Sequence, residues 1–484
     1  MRILTQLLLL ISFSFTPNLI KAAPGDIDLS FGNGGLTIVP SSLMNNFKAQ
    51  ETNMVIDPSG KLLVAVSLFD NAKDLWNGCA LVRVNPDGKL DPNFDGDGVV
   101  FVKYPQASNG FFRPCKLQVQ TIGDTEKILV LMQWDKLNQY VLVRYHADGT
   151  FDKSFGMNID AGIYDLAVDD KGLIYLGGTT YDDKYGSFGN NLPLISRFAP
   201  NGFVDTSFAG DGTVFGYNEP NDGEGIYFSG EFSKLLMRDN LIYAVGRGGI
   251  EKSVKFEPDK TYLQLHQARL VLNRFRFDGE WDSTFINSKI EGEPFDVENN
   301  SYEEVIDVGL YVDPITKENK LMVLGEYSDQ NFSDYYYVVR FHSDGTPDLD
   351  FAKDGMLTFS KNFSSISSMA VQNNGKFLLT TTYNDQHYVT RYLANGTLDQ
   401  AFGSGGFVNT TIQGKKTYSD AAVEKAGSIF VAGLYFPPEN INQLAIFKLE
   451  GDLSLLQKFL KAPLNIKQKL IDHHHPALDI KRIP

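Results

Sequence analysis

The sequence predicts an all-β chain folded as a seven-bladed β-propeller, built from four-stranded repeats of about 60 residues. Three observations carry that prediction: a five-position motif in fixed register, a near-constant spacing between its copies, and the same run of β-rich segments inside each interval. Six times the chain reads Arg, four residues on to Asp or Asn, then Gly, three on to Asp and three on to Phe. The copies are Arg83-Asp87-Gly88-Asp91-Phe94, Arg144-Asp148-Gly149-Asp152-Phe155, Arg197-Asn201-Gly202-Asp205-Phe208, Arg274-Asp278-Gly279-Asp282-Phe285, Arg340-Asp344-Gly345-Asp348-Phe351 and Arg391-Asn395-Gly396-Asp399-Phe402. A seventh, Gly25-Asp28-Phe31, lacks the Arg. The motif Asp residues lie 63, 61, 53, 77, 66 and 51 positions apart, too far for one helical hairpin and right for a four-stranded blade.

Each unit has one internal order. After the Phe comes a Gly-rich turn and a short strand, as in GNGGLTIV (32–39), GDGVVFV (96–102) and GDGTVFGY (210–217). Two β-branched runs then flank a tight turn, as in NMVIDPSGKLLVAV (53–66), DLAVDDKGLIYLGG (165–178) and SMAVQNNGKFLLTT (368–381). The last strand carries the Arg, as in CALVRV (79–84), YVLVRY (140–145), LVLNRF (270–275) and YYVVRF (336–341). Divergent hairpins at 116–132, 234–246, 310–325 and 420–433 bring the count to seven, and LAIFKL (444–449) follows the last. A closed ring is the natural solution, because closure hides strand edges that an open solenoid would expose. The motif is then a framework device. A site is normally built once, whereas these residues recur: the Asx-Gly pair makes a turn, the Asp accepts from Arg or backbone N–H, and the Phe anchors neighbouring blades.

Phe31-Gly32-Asn33-Gly34-Gly35 and Phe402-Gly403-Ser404-Gly405-Gly406 resemble the core of the bacterial delta-60 repeat family. Phe285-Ile286-Asn287 and Lys448-Leu449-Glu450-Gly451 depart from it. The resemblance covers nearly the whole chain after residue 22. It implies an exported, propeller-like protein and supplies no catalytic residue.

Residues 1–22 pass from basic Arg2 through the apolar run Ile3–Phe15 to Ala22, the order of a secretory signal peptide. The run is shorter than the roughly 20 residues of a membrane span, so the expectation is a secreted or periplasmic chain starting near Ala23. The propeller then occupies 23–451 as a single domain. The tail 452–484 offers a short amphipathic helix through Leu453, Leu456 and Leu460 before fraying. Cys79 and Cys115 fall in consecutive units; a disulfide and two buried thiols both fit. Lys and Arg total 44 against 59 Asp and Glu, a formal charge of −15, which argues against nucleic acid and anionic membrane surfaces.

Candidate chemistry is sparse. Asp91, Asn93, Asp95 and Asp97 spell the first half of a calcium loop, though Val102 stands where its bidentate Glu belongs. Calcium is therefore the one cofactor candidate, with a solvated acidic turn as the alternative. His146 and His342 share one repeat slot, His266 and His387 are expected in connecting loops, and His473, His474 and His475 lie in the tail. The motif and the hairpin tips share one face, so the variable connections (68–79, 181–191, 217–232, 247–269, 290–304, 327–335) gather on the other. These connections carry Trp76, Tyr181, Tyr185, Tyr217, Tyr227, Phe295 and Tyr335 among many carboxylates, a mixture suited to a carbohydrate or protein ligand. The expected function is that of a monomeric, exported binding module. A hydrolase or lactonase-like enzyme with its site at the channel mouth is the alternative.

Overall fold

Alternating β-branched and polar residues between Gly-rich turns produce 28 strands among the described residues of the computed structural model. It describes residues 23–70, 75–102, 112–134, 139–159, 161–182, 190–216, 226–257, 260–286, 302–328, 334–359, 363–383, 386–412, 415–425, 427–437 and 441–452. The expected signal peptide, the tail from Leu453 onward and its three His lie outside these residues.

The strands form seven antiparallel sheets. The first described strand is β1 (Leu36–Val39), and blade 1 follows as β2 (Lys48–Ile56), β3 (Leu62–Asp70), β4 (Leu75–Val84) and β5 (Val99–Val102). Blade 2 is β6 (Phe112–Ile122), β7 (Thr125–Trp134), β8 (Gln139–His146) and β9 (Met157–Ile159). Blade 3 is β10 (Gly162–Val168), β11 (Ile174–Asp182), β12 (Asn190–Phe198) and β13 (Thr213–Phe215). Blade 4 has three described strands, β14 (Ile226–Arg238), β15 (Leu241–Glu257) and β16 (Lys260–Arg276). Blade 5 is β17 (Tyr302–Val312), β18 (Asn319–Ser328), β19 (Asp334–Phe341) and β20 (Met356–Thr358). Blade 6 is β21 (Phe363–Val371), β22 (Phe377–Tyr383), β23 (Gln386–Tyr392) and β24 (Phe407–Asn409). Blade 7 holds the two-residue β25 (Thr411–Ile412), β26 (Lys415–Lys425), β27 (Ser428–Tyr435) and β28 (Gln443–Glu450).

The ring is closed. First strands of successive blades touch in the order β2, β6, β10, β14, β17, β21, β26 and back to β2, so they surround the axis. Strand β1 pairs with β28, Leu36 opposite Phe447 and Val39 opposite Leu444, which makes the N-terminal strand the outer strand of the last blade. The repeat legible in the sequence is therefore offset by one strand from the blade. In the six units where it is described, the short strand after the motif Phe belongs to the blade that precedes it, and the motif joins third strand to outer fourth strand. A repeating sequence has a period but no phase, so pairing alone sets where a blade starts.

The apolar core lies between blades. Seven clusters of buried side chains correspond to the seven interfaces, and each contains one motif Phe: Phe31, Phe94, Phe155, Phe208, Phe285, Phe351 and Phe402. Cys79 of β4 and Cys115 of β6 form a disulfide across the first of these interfaces, with Cα atoms 6.5 Å apart. The variable connections are shorter than expected because strands run into them. The segment 247–269 is a continuation of β15 and β16, paired as far as Glu257 and Lys260. His266 and His387 accordingly lie in β16 and β23, opposite Ile250 and Thr382, and not in loops.

Candidate functional site

Two groups of polar side chains stand out from the apolar interfaces: a clamp repeated at every blade junction and a charged ring on the axis. The clamp is the sequence motif. Each Arg bonds the Asp eight residues on, at 2.7 Å for Arg83–Asp91, 2.9 Å for Arg144–Asp152, 2.9 Å for Arg197–Asp205, 2.7 Å for Arg274–Asp282, 2.8 Å for Arg340–Asp348 and 2.9 Å for Arg391–Asp399. Each guanidinium also lies over its own motif Phe, 4.3–4.9 Å from the ring centroid. One further guanidinium nitrogen of each crosses the interface. Arg83, Arg144, Arg197, Arg274 and Arg340 donate to carbonyls of Ala147, Pro200, Phe277, Ser343 and Ala394 in the next blade's turn, and Arg391 bonds the Asp452 carboxylate instead.

A cation at the start of the second strand, Lys61, Lys127, Lys320 or Lys376, adds a second partner to the Asp in four blades. Burial raises the Asp152 carboxyl, but the Ser154 hydroxyl and N–H and the Arg144 guanidinium outweigh it and hold it below the usual carboxylate range. Asp28, Asp91, Asp205, Asp282, Asp348 and Asp399 are shifted in the same direction.

The turn itself packs tightly. Gly88 sits at φ +85°, and a Cβ there would lie 2.2 Å from the Gly32 nitrogen, so only glycine allows the turn of one blade to rest on the motif of the one before it. That contact carries a backbone bond, Gly32 N–H to Asp87 C=O at 2.7 Å, with counterparts from Asp95 to Asp148, Ala209 to Asp278, Ile286 to Asp344 and Ala352 to Asn395.

The seventh copy is assembled from both ends of the fold. Asp28 N–H bonds the Lys448 carbonyl at 2.9 Å, as Asp91 does with Arg83, and the Lys448 ammonium meets the Asp28 carboxylate at 2.8 Å. Lys448 thus stands in the Arg slot that the N-terminal copy lacks.

The calcium candidates sit within this framework. Asp91 faces Arg83 and Lys61 with one oxygen and accepts the Asn93 N–H with the other, while Asn93, Asp95 and Asp97 are exposed and Asp97 accepts the Val99 N–H. Among the described residues, no three His, Cys, Asp or Glu side chains are placed to hold a metal. His146 and His342 occupy equivalent places, each 2.5–2.7 Å from a clamp lysine, Lys127 or Lys320.

The axial ring was not legible as a motif. One equivalent slot of the seven first strands, fixed by pairing to the second strands, holds Asn53, Lys116, Asp165, Lys234, Asp307, Ser368 and Ala421. Asn53, Asp165 and Asp307 each accept a backbone N–H from the next blade's first strand, from Leu117, Leu235 and Met369 at 2.8–3.0 Å. Lys234 Nζ lies 3.5 Å from Asp307 Oδ1. Lys116 and Lys234 come from blades two apart and occupy the same slot of their first strands. The positive charge of Lys234, aided by burial, lowers the Lys116 amine below the usual lysine range. Burial also opposes the charge on Lys234, but Asp307 and Asp165 more than offset it and raise that group. The sequence signal was present but faint: this slot changes residue from blade to blade while the residue after it stays apolar, from Met54 and Leu117 to Met369 and Ala422.

On the face opposite the motif, the backbone places Trp76 at the start of β4, Tyr181 at the end of β11 and Tyr227 at the start of β14. Tyr185, Tyr217 and Phe295 lie outside the described residues. Tyr335 of β19 stacks on Tyr327 of β18 at that same end, with ring centroids 5.2 Å apart.

A family model described as a domain of unknown function (DUF5122) β-propeller matches residues 58–94 and 319–351. Both segments run from a central hairpin through the Arg strand to a motif Phe. No curated protein matches the chain. Among solved structures it is similar to Drosophila Semaphorin 2a, at 10% identity over 88% of this chain and 76% of that one, TM-score 0.44. It is also similar to the Dos1 propeller (10%, 85% and 94%, TM-score 0.42) and to an α-L-arabinanase from Penicillium chrysogenum (10%, 86% and 98%, TM-score 0.39). The matched segments fall on the strands and clamp that define a blade, which supports membership of a β-propeller repeat family.

Proposed function

We propose that the protein is an exported binding module of the delta-60 repeat type, which takes a protein or carbohydrate ligand on the face opposite its clamps. The observation that carries this reading is the length of blade 4. Strands β15 and β16 have 17 residues each, against 7–10 in the second strands of the other blades. At about 3.3 Å per residue, the extra length projects roughly 20 Å past the ring on the side of the variable connections. The stacked Tyr327–Tyr335 pair at the same end of blade 5 supplies an aromatic platform beside it. The motif face, by contrast, spends its turns on neighbouring blades. Asp91 and its neighbours belong to that framework in this reading, and the disulfide suits an oxidising compartment.

The test is to replace residues 249–268 with Asn-Gly, and separately to make Tyr335→Ser, then compare both variants with the wild type on glycan arrays and in protein pull-downs. The expected outcome is an unchanged melting transition with ligands lost from at least one variant. Retention of every ligand by both variants would contradict the proposal.

A further inference from the structure

Seven clamps need seven motif turns, and six of these are continuous chain. The first is Asn85-Pro86-Asp87-Gly88-Lys89. Asn85 N–H bonds Lys89 C=O, Gly88 N–H bonds Asn85 C=O and Asp91 N–H bonds Arg83 C=O, at 2.8–2.9 Å. The seventh turn is built from two pieces of chain and keeps each of these bonds. Glu450 N–H bonds Asp26 C=O, Gly25 N–H bonds Glu450 C=O and Asp28 N–H bonds Lys448 C=O, at 2.7–2.9 Å. Pro24 C=O accepts the Gly403 N–H at 2.8 Å, as Asp87 C=O accepts that of Gly32. Glu450 therefore stands in the Asn85 slot, and Ala23, Pro24, Gly25 and Asp26 stand in those of Pro86, Asp87, Gly88 and Lys89. The slot before Ala23 is already filled by Glu450, so the ring takes up the N-terminal chain from Ala23 onward.

The turn's carboxylate has also moved. In the six continuous turns an Asp or Asn precedes the Gly and accepts the N–H two residues on, as Asp87 does from Lys89. Pro24 fills that place in the seventh turn, and the acid stands at Asp26, whose Oδ2 accepts from the Ala23 nitrogen at 2.6 Å. Ala23 and Asp26 are both exposed. Independently, the apolar pattern of residues 1–22 has the order of a leader that ends at the small residue Ala22. We propose that the Ala22–Ala23 peptide bond is a proteolytic processing site, and that the α-ammonium group freed at Ala23 pairs with the Asp26 carboxylate to finish the seventh turn. Hydrolysis breaks the C–N bond and adds one water. The hydroxyl goes to the Ala22 carbonyl carbon, and the Ala23 nitrogen takes the water's other proton and the one the new carboxyl group sheds. A neutral N–H bond to Asp26 thereby becomes a charge-assisted one. The site rests on the export reading, and does not depend on the ligand proposed for the opposite face.

Expression of the full chain in a bacterial host, followed by intact-mass measurement and N-terminal sequencing of the exported protein, tests the cut. The expected protein begins at Ala23. A zero-length carbodiimide then tests the pair, because it joins an amine and a carboxylate only when they touch. The native protein should lose one water between the Ala23 amine and Asp26, located by tandem mass spectrometry. Asp26→Asn keeps the backbone carbonyl that bonds Glu450, so the ring should still form while that product is lost. An exported chain that begins at another residue, or no Ala23–Asp26 product in the native protein, would overturn the proposal and leave the export reading standing. A chain that keeps residues 1–22 and stays in the cytoplasm would overturn both.

Discussion

At the scale of single residues, the strongest contacts are the clamp carboxylates. Asp152 is buried, bonded to Arg144 and Lys127, and bonded to Ser154 through its second oxygen. Asp152→Ala leaves the Arg144 guanidinium buried without its carboxylate, which costs about 3–5 kcal/mol. The seven clamp carboxylates titrate below the usual range in the fold. Their contribution is complete above pH about 4 and is lost as pH falls toward their folded pKa values. Denaturant melts at successive pH values should show wild-type stability declining below pH about 4, with Asp152→Ala less stable at pH 7 and declining less steeply. Equal stability of the two proteins at pH 7 would show that the pair is dispensable. These residues were legible because they repeat. Lys61, Lys127, Lys320 and Lys376 were passed over because their slot is not filled in every blade, and the axial slot was faint because no two adjacent blades share a residue there.

At the scale of elements, strand type and hairpin position were readable from alternation and turn chemistry, and strand length was not. The segment Glu251–Glu257 is rich in charge and reads as a loop, yet it alternates Val254 and Phe256 with polar residues and pairs as a strand. Phase was also hidden, because a short strand can join the blade before it or the one after it, and only hydrogen bonding decides. One covalent element joins neighbouring blades. Cys79 and Cys115 are both buried in the blade 1–2 core, and the closed loop constrains the unfolded chain. Replacing both with Ala should lower stability by about 2–4 kcal/mol, seen as a lower melting midpoint that no longer responds to reductant. An identical midpoint in the double variant would mean that the bond contributes nothing to the fold.

At the scale of the whole molecule, seven units were countable in the sequence, and the way the ring closes was not. The N-terminal copy lacks an Arg and the last strand carries Lys448 where an Arg would stand, so each end reads as a degenerate repeat. In the fold the two remnants make one clamp, Lys448 with Asp28, and β1 completes the sheet of β28. The complete interface explains why an apolar core recurs seven times with no exposed end. The ligand face proposed above lies away from the motif, where the strands vary in length. The most direct measurement is a cross-link between the ends: Ile38→Cys with Ala445→Cys, residues directly opposite in β1 and β28. Peptide mapping of the oxidised double variant should show an intramolecular bond between positions 38 and 445 in monomeric protein, with a raised melting temperature. No such bond, or one found only between separate chains, would mean that the ring does not close.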